Sequence, residues 1–288
     1  MQDKECLNMS ASSNQSKQAD RLPTLYIPHG GGPCFFMEWT MGPPDTWNRM
    51  RASLQELGRR FEDVSTLLVV SAHWETSSVT VQTGVRPPLL YDYYGFPQHT
   101  YELTWPASGA PEVAGRVLDL LLAAGIDAHE DRKRGFDHGT FVPLKVAFPE
   151  AHIPTFQVSL KRGLDAAEHI AIGEALTPLR EQGVLIVGSG MSFHNMGHFM
   201  GRNVQEISRR FDTWLEANCA GPPIERLAAL TRWELAPEAR FCHPREDHLL
   251  PLMVVAGAAV EEPGRLLFRD EVMGITTSAF EFGNVGRS

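Results

Sequence analysis

Residues 64–75 read VSTLLVVSAHWE, and this stretch decides the fold class. It is a continuous apolar run that ends in small and polar residues. A strand of a parallel or mixed sheet has this pattern when both of its faces are covered by other parts of the protein. The stretch therefore predicts a buried strand of such a sheet.

Apolar runs of the same kind recur along the chain and alternate with helical patterns. Strands are predicted in LPTLYIPHGGGP at 22–33, IPTFQVSL at 153–160, VLIVGSG at 184–190 and TTSAFEFG at 276–283. Helices are predicted over 45–61, 111–125, 166–182, 204–220 and 247–259. This alternation predicts an α/β fold with helices on both faces of the sheet.

The composition argues against several classes of protein. The chain has 288 residues, with 26 Lys and Arg against 35 Asp and Glu, which gives a formal net charge of −9. This acidic balance disfavours a nucleic-acid-binding surface and a polybasic membrane anchor. No apolar run approaches the roughly 20 residues that span a bilayer. We therefore expect neither a nucleic-acid partner nor a membrane.

The N-terminal segment and the cysteines indicate in which cellular compartment the protein is expected. Residues 1–21 are rich in polar residues and lack the apolar region of a signal peptide, so a disordered tail is expected there. The four cysteines are scattered and form no CxxC motif, which fits a reducing compartment. The sequence thus predicts a cytoplasmic protein with one catalytic domain over residues 22–288, because no linker or repeat divides that range.

Histidines follow three of the predicted strands. His29 lies in YIPHGGGP, His73 in VVSAHWE and His194 in IVGSGMSFHN. Ligands of open α/β sheets bind beyond the carboxyl ends of the strands, so these side chains are expected to converge. Neutral imidazole binds iron, zinc and copper, and such a cluster therefore predicts a metal site.

Other motifs carry further histidines and aromatic side chains. His138 lies in FDHGTFVPL, and HPREDHLLPL carries His243 before a predicted helix and His248 in its first turn. The segment 86–111 is rich in aromatic residues, proline and glycine, and it is too long for an ordinary connection. It predicts a functional loop with a short hairpin.

Six motifs together carry a family resemblance. They are PHGGGP, SAHWE, YDYYGFP, FDHGTFVPL, GSGMSFHN and HPREDHLLPLMVVAGAA, in this order. Over roughly residues 23–283, the sequence resembles the class III extradiol ring-cleavage dioxygenases of the protocatechuate dioxygenase β-subunit superfamily, most closely the 4,5-DOPA dioxygenase branch. The resemblance implies a single-domain, three-layer αβα sandwich around a mostly parallel or mixed sheet, with one non-haem metal.

The resemblance also implies roles for the histidines. His29, His73 and His248 would be the metal ligands. His194 would act as an acid or base beside the metal, and whether it also binds the metal is left open. His138 would line the substrate pocket, and we expect it either to form a hydrogen bond there or to deliver a proton.

Substrate contacts are expected mainly from the aromatic segment. Tyr91, Tyr93, Tyr94 and Phe96 are candidates for a wall that binds an aromatic ring, and His243 is a further candidate substrate contact. The expected substrates are O₂ and a small catechol with a DOPA-like 3,4-dihydroxyphenyl group. Both atoms of O₂ would be inserted into the ring.

The sequence leaves the metal, the reaction and the oligomeric state open. Fe(II) is expected for activity, but a site of three histidines also binds Zn(II) readily. One alternative is therefore a zinc-dependent hydrolase on the same fold, in which a metal-activated water is the nucleophile. Another is a non-catalytic relative that binds a ligand or peptide. The chain is expected to be a monomer or a homodimer.

Overall fold

The computed structural model describes residues 21–199, 201 and 203–283. The tail predicted to be disordered, 1–21, lies outside these ranges except for Arg21, whose guanidinium donates a hydrogen bond to Glu181. Within the described part of the chain, no helix combines the length and the apolar character needed to cross a membrane.

The described residues form strands and helices that alternate over most of the chain. The strands are β1 Thr24–Pro28, β2 Thr66–Thr76, β3 Val79–Gln82, β4 Ala128–Asp131, β5 Thr155–Lys161, β6 Val184–Gly190, β7 Gly264–Val272 and β8 Ile275–Phe282. The α-helices are α1 Asn48–Arg60, α2 Pro111–Ala123, α3 His138–Ala147, α4 Ala166–Leu176, α5 Val204–Cys219, α6 Pro223–Thr231, α7 Ala239–Cys242 and α8 Leu250–Gly257. Short 3₁₀ helices cover Cys34–Phe36, Gln98–Glu102, Thr177–Gln182, Met196–His198 and Trp233–Leu235.

The strands form one mixed sheet in the order β4-β3-β5-β2-β6-β1-β8-β7. The central strands β5, β2, β6 and β1 run parallel to one another. On one side β8 pairs antiparallel with β1, and β7 with β8. On the other side β3 pairs antiparallel with β5. The carboxyl ends of β1, β6 and β2 therefore lie side by side at one edge of the sheet.

Helices cover both faces of this sheet. Alternate residues of β2 enter different cores: Leu68 and Val70 pack with residues of α2, α4, α5 and α8, whereas Leu67 and Val69 pack with residues of α1 and α3. All four side chains are buried, and burial of such a side chain stabilises the fold by about 1.5–3 kcal/mol. This double burial explains the continuous apolar run of residues 64–75. The predicted three-layer α/β fold is confirmed.

Several predicted element boundaries were wrong near the histidines. His73 lies inside β2 rather than after it, because β2 continues to Thr76. Helix α8 begins at Leu250, so His248 lies in the turn before the helix and not in its first turn. Within residues 86–111, all of which are described, no hairpin forms. Its prolines lack the N–H group that a strand ladder needs, and the Tyr91 and Tyr93 hydroxyls instead donate to backbone carbonyls of the same segment.

Candidate metal centre

Neighbouring parallel strands bring the first three histidines to one edge of the sheet. His29 directly follows β1, His73 lies in the carboxyl-terminal part of β2, and His194 comes four residues after β6. Because β6 pairs with both β1 and β2, the ends of these strands are adjacent. The predicted convergence at the carboxyl edge is therefore observed.

An irregularity in β2 sets the position of His73. The register between β2 and β5 shifts between Val70 and Glu75, on either side of this histidine. Bulges of this kind bend a strand and redirect its side chains, and they often lie beside functional sites. The shift explains how a residue inside a strand can face the same edge as residues that follow strands.

Two hydrogen bonds hold the backbone of His248 against strand β1 and the end of strand β6. Its carbonyl accepts hydrogen bonds from the Tyr26 hydroxyl at 2.8 Å and from the Met191 N–H at 3.1 Å. The approach is possible because residue 190 is glycine: a Cβ there would lie 2.1 Å from the His248 carbonyl oxygen. Only the absence of a side chain lets the turn before α8 come this close to β6.

Asp137 fixes the start of α3, where His138 is the first helical residue. The buried Asp137 carboxylate caps the helix by accepting from the Thr140 N–H. It also accepts from Ser71 Oγ at 2.6 Å and from Gln157 Nε2 at 2.7 Å. This network ties the FDHG motif to β2 and β5 and holds His138 close to His73.

His29, His73 and His248 form a compact set of nitrogen atoms. One ring nitrogen from each lies within 4.8 Å of the others, and Nε2 of His29 is 3.2 Å from Nε2 of His73. Burial, reinforced by the neighbouring histidines, lowers the pKa of His29 to about 3 and the pKa of His73 and His248 well below the usual value. The three imidazoles are therefore neutral near pH 7, which is the form that binds a metal.

The hydrogen bonds of these rings leave nitrogen lone pairs free. Nδ1 of His29 is 2.8 Å from the Gly30 carbonyl, which can only accept, so Nδ1 carries the proton and Nε2 has the lone pair. Nε2 of the buried His248 has no hydrogen-bond partner among the described residues, and its Nδ1 lies 3.1 Å from Asp247 Oδ1 without the geometry of a hydrogen bond. An unpartnered buried polar group costs about 1–3 kcal/mol. A metal ion bound by the three imidazoles would remove this cost, so the donor set fits a metal.

Among the described residues, two further groups have metal-ligand spacing, but their carboxylates already accept hydrogen bonds. In the group of His73, Asp92 and His138, Asp92 accepts hydrogen bonds from His138. In the group of His194, Asp247 and His248, one Asp247 oxygen accepts from the His248 N–H and the other from Arg245. The histidine triplet is thus the group with free donors. Glu246, beside Asp247, pairs with Arg240.

His194 lies directly against His248. The two rings stack with centroids 3.3 Å apart and an angle of 11° between their planes. The backbone N–H of His194 donates to the Cys242 carbonyl. Burial lowers the pKa of His194, while Asp247 acts in the opposite direction. A neutral imidazole at this position can accept a proton from a molecule in the cavity.

Asp92, in the YDYYGFP motif, is a site residue that sequence reasoning missed. Its Oδ1 accepts from both the backbone N–H and Nδ1 of His138, each at 2.9 Å. Burial tends to raise the pKa of Asp92, but the hydrogen bonds from His138 outweigh it and lower the pKa. The ionised carboxylate holds a proton on Nδ1 of His138, so Nε2 is the ring nitrogen left for contacts in the cavity.

A cavity of about 560 Å³ contains five of the histidines. Its lining includes His29, His73, His138, His194 and His248, together with Tyr93, Tyr94 and Phe96. These aromatic side chains come from the segment predicted to bind an aromatic ring. Phe96 also lies over the glycine-rich turn, where a Cβ on Gly32 would meet its ring at 2.8 Å.

Two residues predicted to contact substrate lie away from this cavity. The Tyr91 hydroxyl donates to the Leu103 carbonyl, and its ring packs against Phe141 instead of lining the cavity. His243 is fully buried between Phe211 and Trp233 and hydrogen-bonds to the Ser192 carbonyl. Burial lowers the pKa of His243 to about 3. Neither side chain therefore lines the cavity, in contrast to the expectation from the sequence.

The chain is similar to several known proteins over most of its length. The family profile described as "Catalytic LigB subunit of aromatic ring-opening dioxygenase" matches residues 23–281. "Dioxygenase tasH" of Hapsidospora irregularis is 33% identical over 287 residues, which cover 91% of this chain and 85% of that protein. The "4,5-DOPA dioxygenase extradiol" of Beta vulgaris is 40% identical over 199 residues, covering 68% of this chain and 73% of the relative.

A bacterial relative and a solved structure extend the match. The "4,5-DOPA dioxygenase extradiol" of Escherichia coli K12 is 32% identical over 243 residues, covering 83% of this chain and 85% of the relative. A crystal structure of an uncharacterized Escherichia coli K12 protein has a TM-score of 0.73 at 28% identity and covers 91% of this chain and 100% of that one. The chain belongs to the LigB family of aromatic ring-opening dioxygenases, and it is an oxidoreductase of the extradiol, ring-opening class.

Proposed function

We propose that this enzyme opens the ring of a catechol and inserts both atoms of O₂, with Fe(II) held by His29, His73 and His248. The observation that carries the proposal is the convergence of these three imidazoles, whose nitrogens lie within 4.8 Å of one another on an aromatic-walled cavity. Bound Fe(II) would supply the redox-active centre through which electrons of the catechol reach O₂.

His194 is the proposed acid/base of the reaction. A catechol must lose its hydroxyl protons to become electron-rich, and a positioned imidazole can accept one of them. His194 lines the same cavity as the three proposed ligands. At a later step it can return this proton to an oxygen atom of the ring-opened product.

His138 is proposed to hydrogen-bond to the substrate or to its reacting oxygen. Its Nδ1 is occupied by Asp92, so Nε2 is the nitrogen available for this contact. Its ring centroid is 3.9 Å from that of His73 and 5.8 Å from that of Tyr93. It therefore bridges the proposed metal ligands and the aromatic wall, where Tyr93, Tyr94 and Phe96 would hold the ring.

The competing function is a zinc-dependent hydrolase, and reconstitution distinguishes the two. The metal-free protein is loaded anaerobically with Fe(II) or Zn(II) and supplied with catechols, with DOPA included because several relatives carry its name. We expect O₂ uptake and a yellow ring-opened product with Fe(II) only, because Zn(II) has no accessible redox change.

The metal comparison also has a result that would overturn the proposal. Equal turnover with both ions in iron-free buffer would exclude the oxidative reaction and favour the hydrolase. Metal content measured on the same samples ensures that a lack of turnover with Zn(II) does not reflect a lack of bound zinc.

Changing Asp92 to alanine should lower turnover without removing the metal. The variant frees Nδ1 of His138, so the ring can rotate and exchange its proton between the two nitrogens. Loss of a carboxylate that orients a site histidine typically costs 10–100-fold, and we expect a loss of roughly that size in kcat. Asp92→Asn is the matched control, since its amide oxygen can still accept from both N–H groups. If Asp92→Ala turned over as fast as the unchanged enzyme, Asp92 would have no role in orienting His138 for the reaction.

A further inference from the structure

The active-site cavity has two chemically different linings. The histidines form one, and a set of apolar side chains forms the other, including Met191 from the turn after β6 together with Val272 and Ile275 from β7 and β8. Among the lining residues within 21–199, 201 and 203–283, no side chain is lysine, arginine, aspartate or glutamate. The part of the cavity away from the histidines therefore offers dispersion contacts but no charge.

The apolar lining continues to the mouth of the cavity. Tyr94, Met196 and Met41 all line it, yet 91%, 71% and 51% of their respective surfaces are exposed. Large apolar side chains are rarely left exposed together unless they bind something. Methionine is also flexible and polarisable, which lets it adapt to alkyl and aromatic groups.

The volume of the cavity leaves room for a ring substituent. Pockets of about 300–1,000 Å³ bury most of a drug-sized ligand, and this one measures about 560 Å³. A bare catechol fills only part of such a space. A substituent on the ring would thus extend along the methionines toward the mouth.

Among the described residues that line the cavity, no charged side chain could pair with a charged substituent. Burying an ionised carboxylate or ammonium without a partner is strongly unfavourable. A neighbouring cleft shares Met41 and Met273 with the cavity and adds Glu206. Glu206 is exposed and lies 3.7 Å from Arg210, so its charge is already paired.

We propose that the natural substrate is a catechol with an uncharged, apolar substituent, either alkyl or aryl, and not a catechol with an amino-acid side chain. This inference rests on the proposed ring-opening function. It differs from the DOPA-like substrate implied by the resemblance, because DOPA carries both a carboxylate and an ammonium.

Four catechols with side chains of similar length test the proposal. They are 4-propylcatechol, 3-(3,4-dihydroxyphenyl)propionate, dopamine and DOPA, which differ in the charge at the end of the chain. With the Fe(II)-loaded enzyme we expect kcat/KM for 4-propylcatechol to exceed that for each charged compound by roughly 10–100-fold. A carboxylate or ammonium compound that is cleaved as well as 4-propylcatechol would overturn the substrate assignment and leave the ring-opening function standing.

Calorimetric binding to the metal-free protein separates the substrate assignment from the reaction. We expect 4-propylcatechol to bind at least about tenfold more tightly than the propionate, whether or not the loaded enzyme turns over. If no catechol is cleaved but 4-propylcatechol still binds more tightly, the proposed ring-opening function is wrong. The preference of the cavity for an apolar substituent is then still supported. If the propionate binds as tightly, the cavity assignment fails.

A positive charge introduced at the mouth of the cavity tests whether the apolar lining determines the substrate preference. Met196→Arg places a cation on the 3₁₀ helix Met196–His198, and we expect it to raise kcat/KM for the propionate and lower it for 4-propylcatechol. Leu235→Arg is the control, because Leu235 is 79% exposed on another 3₁₀ helix and does not line the cavity. An unchanged preference in Met196→Arg, or an equal change in Leu235→Arg, would contradict the proposal.

Discussion

Replacing His248 by alanine should abolish stoichiometric metal binding and ring opening together. The proposed site has three protein donors, and a site that loses one imidazole is left with too few to retain a metal. The effect on activity is expected to be complete because the proposed ring opening needs the metal. The measurement is metal per protein after anaerobic reconstitution, followed by O₂ uptake.

The fold around residue 248 should survive this change. The two bonds that fix the turn before α8, from the Tyr26 hydroxyl and the Met191 N–H, are made to the backbone carbonyl of His248 and not to its ring. Circular dichroism and thermal unfolding of the metal-free proteins will therefore show whether lost metal reflects a lost ligand. His29→Ala and His73→Ala should give the same loss of metal.

His243→Ala is the matched control for this experiment. His243 belongs to the same motif and is also fully buried, but it lies between Phe211 and Trp233, off the cavity. We expect it to keep a full complement of metal at temperatures where it is folded. If His248→Ala instead kept the metal, the third ligand would have to be sought at His194, whose ring stacks on that of His248 and lines the cavity.

The convergence of His29, His73 and His194 was predictable because it follows from topology. Once the apolar runs are identified as parallel strands covered on both faces, their carboxyl ends must meet at one edge. The register shift in β2 that turns His73 toward this edge was not predictable. It depends on pairing with β5, which lies about ninety residues further along the chain.

The choice between His243 and His248 shows where sequence patterns stop being informative. Both belong to one motif, and neither lies in a strand or helix whose periodicity would orient it. In the structure the Gly190 backbone lies close to the His248 carbonyl, and His248 lines the cavity whereas His243 does not. Such a contact between distant segments leaves no local signal in the sequence beyond the glycine itself.

The aromatic segment shows the same limit. Its composition indicated a binding loop, and Tyr93, Tyr94 and Phe96 do line the cavity. Tyr91 does not, because its hydroxyl donates to the Leu103 carbonyl within the segment. Asp92 was missed for a related reason. A carboxylate that orients a histidine from another segment can be recognised only when the two are seen together.

His194→Ala should separate proton transfer from metal binding. As the proposed acid/base, His194 lies on the cavity but is not one of the three proposed ligands. We therefore expect the variant to retain its metal and to bind catechol. Its turnover should fall roughly 10²–10⁴-fold, which is the usual contribution of a positioned proton-transfer group.

A nearby histidine provides the control for this variant. His198 follows on the 3₁₀ helix Met196–His198, is exposed, and hydrogen-bonds to the Asn195 side chain without lining the cavity. His198→Ala should therefore leave both metal content and kcat unchanged. A similar loss in both variants would point to a disturbed loop and not to proton transfer.

The stacking of His194 on His248 gives the experiment a second possible outcome. The ring centroids are only 3.3 Å apart, so His194 lies close enough to the proposed ligands that its removal can affect the metal. If His194 is itself a ligand, the variant will bind metal more weakly as well as turn over more slowly. Metal affinity and kcat are measured independently, so the two roles are distinguishable. A variant with full metal content and undiminished kcat across the pH range would exclude both roles. The proton-transfer role would then be assigned to His138, which also lines the cavity and whose Nδ1 is bonded to Asp92.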